Sequence, residues 1–256
     1  MIAPIEDRIV QRAILDVMLD SEELSGVREV ASTSTSIGGI KGRGVENAIS
    51  IIQAAFESGN ANFVAGSDIS GFFNRIDKPT VVNFLSKETS DKAFVRLFSA
   101  ALDVDLKNAP ELIARGEMDL FPTDEHGVAQ GCPLSAFAGN IALKSFDEKM
   151  NGDGITCIRY IDDFILLGRK KAAVAKAMAS AKEHLDRLEM SIYDPHSRPD
   201  KAFSGSIQEA HDFLGYRLIP GLYPPSEKNR EKLLKSIDTE FEIGRQHILR
   251  ALNGNP

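Results

Sequence analysis

The chain has no tryptophan and only two cysteines, Cys132 and Cys157, which lie apart without a CxxC pair or a neighbouring histidine. That excludes a disulfide framework and a thiolate zinc site. The five histidines, His126, His184, His196, His211 and His247, form no HxxxH pair. No run of 18 apolar residues occurs, so no membrane span is expected. No signal peptide is expected either: "MIAPIEDRIVQRAI" carries acids where a basic start and an apolar run belong. A reducing, cytoplasmic setting is expected. Basic charge is in deficit, with 30 Lys and Arg against 37 Asp and Glu, a formal net charge of −7 and a pI of about 5.3. This argues against a protein that coats nucleic acid by bulk attraction, because phosphate binding rests on Lys and Arg. A local basic groove stays open. Gly38, Gly39, Gly42 and Gly44 cluster, but no GKS or GKT follows, so they form no P-loop.

Against these absences stand 43% hydrophobic residues and 14 phenylalanines in 256 residues, enough to core one large domain or two small ones. No internal repeat or low-complexity linker interrupts them. Ile9, Val10, Ala13, Ile14, Val17 and Met18 fall at helical spacing between Asp7 and about Leu19. "STSTSIGGIKGRG", 32–44, reads as a Gly/Ser-rich loop, and Val45 to Glu57 as a second helix with Ala48, Ile49, Ile52 and Phe56 on one face. "NFVAGSDI" predicts a short buried strand ending near Asp68. A helix follows, with Pro79 in its first turn, and residues 90–116 read as mainly helical. Leu134, Phe137, Ile141 and Ser145 predict one helix with a small-residue face, and "EHGVAQG" before it a loop or short strand. Residues 171–190 form an amphipathic helix. "DFLGYRL" reads as a further strand, and Ser226 is suited to cap a last helix from about Glu227. This order predicts an α+β layer, with helices on one face of an antiparallel sheet.

One stretch asks for a chemical explanation. In "CIRYIDDFILLG", 157–168, alternating residues on both sides of Asp162 and Asp163 predict a strand, tight turn, strand hairpin. Adjacent carboxylates repel, and Asp68, at the end of its own strand, is the natural third partner. Three carboxylates in one cleft suit a hard divalent cation such as Mg²⁺, which takes its remaining ligands from water and phosphates. Each acid alone is a weak signal: a DD turn is most often solvated, and an Asp after a strand most often caps a helix.

Read together, these segments resemble the reverse transcriptase family. "RYIDDFILLG" is similar to its Tyr-x-Asp-Asp box, "SDISGFFNRID" (67–77) to its first carboxylate motif, and "GVAQGCPLSAFAGNIAL" (127–143) to its Gln-Gly-x-Pro-x-Ser motif. "DFLGYRL" (212–218) resembles the primer-grip hairpin. "DRIVQRAILDVM" and "SIGGIKGRGVENAI" resemble fingers segments of the bacterial group, as in group II introns, retrons and related antiviral defence enzymes. The match covers nearly the whole chain in family order.

The resemblance implies a right-hand polymerase fold: partial helical fingers over 1–60, a palm over 61–220 with a helical insertion at about 78–125, and the start of a short thumb over 221–256. It implies RNA-directed DNA synthesis with two Mg²⁺ ions, Mn²⁺ being a substitute. Asp68 and Asp162 would be ligands, Asp163 would complete the cluster, and Ile69 would join the metal set. Tyr160 would pack beneath the primer terminus, a core tyrosine being the plain alternative. Phe73 stands where the family keeps an aromatic under the sugar, so deoxynucleotides should be preferred. Gln130 and Gly131 would lie by the incoming base and template. Ser135 contacts template or merely caps its helix. Lys201 is the candidate for the lysine near the pyrophosphate, with a solvated lysine equally open. Phe213, Leu214 and Gly215 would form the primer grip. Asn140 reads as a structural hydrogen-bonder, and Cys132 is assigned no chemistry. Partners would be an RNA template, a DNA or RNA primer and dNTPs.

The chain departs from the family pattern at both ends. The fingers strand whose Lys or Arg grips the triphosphate is expected to be absent, with Lys41 and Arg43 as partial replacements or merely a surface loop. One or two thumb helices are expected at the other end. A protein partner or oligomer completing fingers and thumb is one expectation; a polymerase-like scaffold with little activity of its own is the competing reading. An RNA polymerase is disfavoured by Phe73, and a small-molecule phosphotransferase leaves the other motifs unexplained.

Overall fold

The computed structural model describes residues 3–106, 108–117, 121–123 and 125–252. Two compact units are present, Met1–Ser206 and Ile207–Pro256. The first begins with three helices: α1 (Ile5–Asp20), α2 (Ser25–Ser32) and α3 (Val45–Glu57). Gly44 starts α3, and its N–H donates to the Asn47 side chain at 2.7 Å. Then come strand β1 (Phe63–Ser70) and the one-turn helix α4 (Phe72–Arg75). Helices α5 (Lys78–Glu88), α6 (Lys92–Leu102) and α7 (Ala109–Arg115) follow, then α8 (Pro133–Ala142) and α9 (Lys144–Met150). Both α5 and α6 start on an aspartate: Asp77 accepts from Thr80 N–H at 2.9 Å, and Asp91 from Ala93 and Phe94.

The hairpin of β2 (Ile155–Tyr160) and β3 (Asp163–Gly168) leads into α10 (Lys171–Arg187), then β4 (Ser191–Ile192) and β5 (Ala202–Ser206). The sheet runs β2–β3–β1 with β4 and β5 both antiparallel to β1. Strand β1 is therefore the middle of the sheet, and its central Val64, Ala65 and Gly66 are small and apolar. Gly66 has no room for more: a Cβ there would lie 2.6 Å from the Phe203 ring.

The core joins Ile14, Leu15 and Met18 of α1, Leu134 and Phe137 of α8, Phe146 of α9, Phe164 and Leu166 of β3, and Leu185 of α10. Ile165 and Leu167, which alternate to the other face of β3, are also buried, as is Ile158 on β2, and α3 packs at β2. Both faces are thus covered, where the sequence predicted helices on one. The small-residue face of α8 has a use: Gly139 leaves its Cβ space to the Phe72 ring, 2.6 Å away from where that atom would stand. No helix among the described residues is long and apolar enough to cross a membrane.

In the second unit, β6 (His211–Phe213) and β7 (Tyr216–Leu218) form a two-residue hairpin rather than one strand. Leu214 and Gly215 at its turn both have positive φ, 50° and 81°, the backbone a tight hairpin requires. Ser226 accepts from Asn229 N–H at 3.4 Å and so caps α11 (Glu227–Leu252).

Candidate active site

The antiparallel register of β1 and β3 sets Asp68 directly opposite Asp163, while Tyr160 faces Asp163 from β2. Asp162 lies in the turn, and its carbonyl accepts from Ile69 N–H at 2.9 Å. The sheet ladder thus carries three aspartates from two distant segments to one end of the sheet. On the other flank of β1, Asp68 N–H donates to the Lys201 carbonyl at 3.1 Å, and the Lys201 ammonium donates to Asp68 Oδ2. Tyr160 is half-buried and Ile69 fully buried.

Burial is what most disturbs these acids. The Asp163 carboxyl is pushed up to about 8, first by burial, then by its hydrogen bond with Asp68 and the Asp68 and Asp162 charges, with Lys201 opposing. Asp162 is raised too, chiefly by burial. Lys201 is raised in turn by its bond to Asp68. A pair of acids whose charged forms are this disfavoured takes up either protons or an external cation.

Among the described residues, no group of three His, Cys, Asp or Glu side chains closes into a metal cage. Asp68 is ion-paired with Lys201, and Asp163 hydrogen-bonds with Asp68. The donor set nonetheless fits a divalent ion. It consists of hard carboxylate oxygens, two of them facing across a ladder, and an ammonium already stands in for a cation at Asp68.

Phe73, half-buried, lies on α4 just after β1 and packs edge-on to Phe72 at 5.3 Å. Its carbonyl accepts from Val128 N–H at 2.8 Å, and Ile76 accepts from Gly127 at 2.8 Å. These two bonds fasten the Gln130–Gly131 turn to the Asp68 segment. Gln130 and Gly131 are exposed, and Gly131 has φ 76° with open space around it. Ser135 is 2% exposed in the first turn of α8. Phe213, Leu214 and Gly215 belong to the second unit and form the β6–β7 turn described above.

Arg43 donates to the main-chain carbonyls of Thr33, Ser36 and Ser32. It braces the 32–44 loop. Lys41 lines a cleft of about 500 Å³ with Arg12, Gly39, Gly131 and Pro133. Cys132 and Cys157 are buried free thiols, both pushed upward by burial and so poor nucleophiles.

Sequence reasoning passed over Arg159 and Asp147. Arg159 is 0% exposed and makes a two-pronged ion pair with Asp147, at 2.7 and 2.6 Å. The available signal was an arginine alternating with apolar residues in a buried strand, which demands a buried acid elsewhere. Asn140, predicted to be a structural hydrogen-bonder, accepts from Arg159 at 3.0 Å and donates to the Gly38 carbonyl at 3.0 Å.

A family model described as reverse transcriptase (RNA-dependent DNA polymerase) matches residues 1–218. No curated protein matches the chain.

Proposed function

Because the chain belongs to the reverse transcriptase family, we propose that it is an RNA-directed DNA polymerase of the bacterial type, extending a DNA or RNA primer with deoxynucleotides on an RNA template. The observation that carries this reading is the register of Asp68 on Asp163, with Asp162 in the adjoining turn. Residues 1–60 are read as partial fingers, 61–220 as palm with the 78–125 insertion, and 221–256 as the start of the thumb.

Asp68, Asp162, Asp163 and the main chain of Ile69 would hold Mg²⁺, or Mn²⁺ in its place. When bound, such ions lower the pKa of the attacking 3′-hydroxyl and offset charge on the leaving pyrophosphate. The chain's own residues do the rest. Tyr160 supports the primer end beside Asp163. The Phe73 ring stands under the sugar and excludes a 2′-hydroxyl by bulk. Gln130 and Gly131 meet the incoming base and the template, and Phe213, Leu214 and Gly215 grip the primer. Lys201, released from Asp68, supplies positive charge to the departing phosphates. Ser135, enclosed in α8, shapes the start of that helix.

Incorporation of labelled dNTP on an RNA homopolymer tests the reading. Uptake of the complementary deoxynucleotide, and of no other, supports it; uptake independent of template contradicts it. The second reading is a subunit or scaffold that works only with a partner, and the engagement of Asp68 by Lys201 favours it.

A further inference from the structure

The turn that carries Asp162 is held in a conformation its sequence does not favour. Ile161 has φ 61°, an uncommon left-handed conformation for a β-branched residue. Nothing local to "YIDD" provides for this, since no glycine or asparagine stands at 161. What provides for it comes from outside the turn. Arg159 Nη1 donates to the Ile161 carbonyl at 2.8 Å. The rest of that guanidinium is fully engaged: Nε and Nη2 on Asp147, and Nη2 also on Ser36 Oγ at 2.7 Å and Asn140 Oδ1 at 3.0 Å.

The 32–44 loop closes the same structure from the other side. Arg159 N–H donates to the Thr35 carbonyl at 2.9 Å, and Ile37 N–H to the Arg159 carbonyl at 2.8 Å. These bonds lay the loop alongside β2. Gly38 then rests on the turn itself: a Cβ there would stand 2.5 Å from Ile161 N and 2.9 Å from the Tyr160 carbonyl carbon. Asn140 holds Gly38 in that place through its carbonyl. The glycine-rich loop is therefore a backing plate for the acidic turn.

We propose that Arg159, anchored by Asp147 and backed by Gly38, is a positioning residue that holds the Ile161–Asp162 turn in its left-handed form and so sets Asp162 and Asp163 against Asp68. The role in catalysis rests on the polymerase reading above; the role in placing the turn does not. A planar guanidinium is required, because one edge, Nε and Nη2, must meet both Asp147 oxygens while Nη1 reaches forward to Ile161. A lysine keeps the charge and loses the fork.

Two measurements on Arg159→Lys, Ile161→Gly and the double variant test this. The first needs no activity. The Ile69 amide donates to the Asp162 carbonyl across the turn, so its hydrogen exchange reports the turn's position. Arg159→Lys should speed that exchange about tenfold or more relative to other β1 amides, and Ile161→Gly, for which left-handed backbone is free, should restore it in the double variant. The second is primer extension: Arg159→Lys should lower kcat with KM for dNTP little changed, and the double variant should recover kcat while its Tm stays low. Uniformly faster exchange over β1, or no rescue of the Ile69 amide by Ile161→Gly, overturns the proposal. A parent inactive in extension counts against the polymerase reading alone, and the exchange result still decides the positioning role.

Discussion

Asp68 and Asp163 face each other across antiparallel strands, and among the described residues Lys201 makes its ion pair with Asp68 rather than with Asp163. Two half-buried acids with one ion-paired lysine leave a charge to be satisfied from outside. Burial and this imbalance together give the site its pH behaviour.

The Asp163 carboxyl stands at about 8 in the folded chain, raised mainly by burial, against roughly 3.9 in an unfolded one. A raised acid favours its protonated form, so the metal-free fold should be most stable at low pH for this group. Its contribution falls as pH rises from about 4 to about 8 and is then constant. Asp162, raised in the same direction, adds to the trend. Lys201, also raised, loses its contribution only above about pH 10. Mg²⁺ or Mn²⁺ should therefore raise Tm more at pH 8.5 than at pH 6.5, and its binding at pH 7 should release protons. A metal-induced Tm shift that is flat across this range would contradict the assignment.

Phe73→Ala should admit ribonucleotides. The ring is half-buried and packs on Phe72, so some stability is lost with it, on the order of 1–3 kcal/mol. Competition between dCTP and CTP on a poly(rG) template would read discrimination directly, and a drop of about tenfold or more corresponds to about 1.4 kcal/mol of lost exclusion. Unchanged discrimination in a folded variant would remove Phe73 from the sugar gate.

Gly38→Ala should disturb the acidic turn without touching an acid. The new methyl would meet main chain, Ile161 N at 2.5 Å, and neither the loop nor the turn can yield cheaply. A stability cost of about 1–3 kcal/mol is expected, together with a fall in kcat. The control is Gly244→Ala, where the added Cβ meets nothing and neither quantity should fall.

Asp147→Asn should be among the most destabilising substitutions in the chain. It leaves the fully buried Arg159 guanidinium without its counter-ion, a change that costs about 3–5 kcal/mol. Urea unfolding would measure it. Removal of the exposed Glu242 partner of Arg245 should produce no measurable change by the same assay.

The hairpin was legible because both of its signals were local: alternating apolar residues on each side and two acids between them. Helices α3 and α10 were equally plain from the spacing of their apolar residues. Much of the rest depended on long-range contacts. Strand β5 was not predicted, since "AFSGS" has no period of its own and becomes a strand only by pairing with β1. Helix α2 was missed for want of length, and the helix expected to run on to Ser145 ends instead at Ala142, with α9 starting anew at Lys144. The three aspartates were named from local motif, but their meeting depends on the β1–β3 register, which no single segment encodes. Lys201 was singled out as a cation for phosphate, and its bond to Asp68 follows from β5 pairing that the sequence did not reveal. Arg159 was seen only as one beat of an alternation, because its partners Asp147, Asn140 and Ser36 lie on three other segments.

The most direct test of the central claim is primer extension on an RNA template with dNTPs and Mg²⁺, comparing the parent chain with its Asp162→Ala, Asp163→Ala variant. Both should show the same fold by circular dichroism, since neither acid contributes to the core. Extension by the parent and none by the variant is the predicted result. Equal extension by both would mean that the paired carboxylates of this sheet are not where the chemistry occurs.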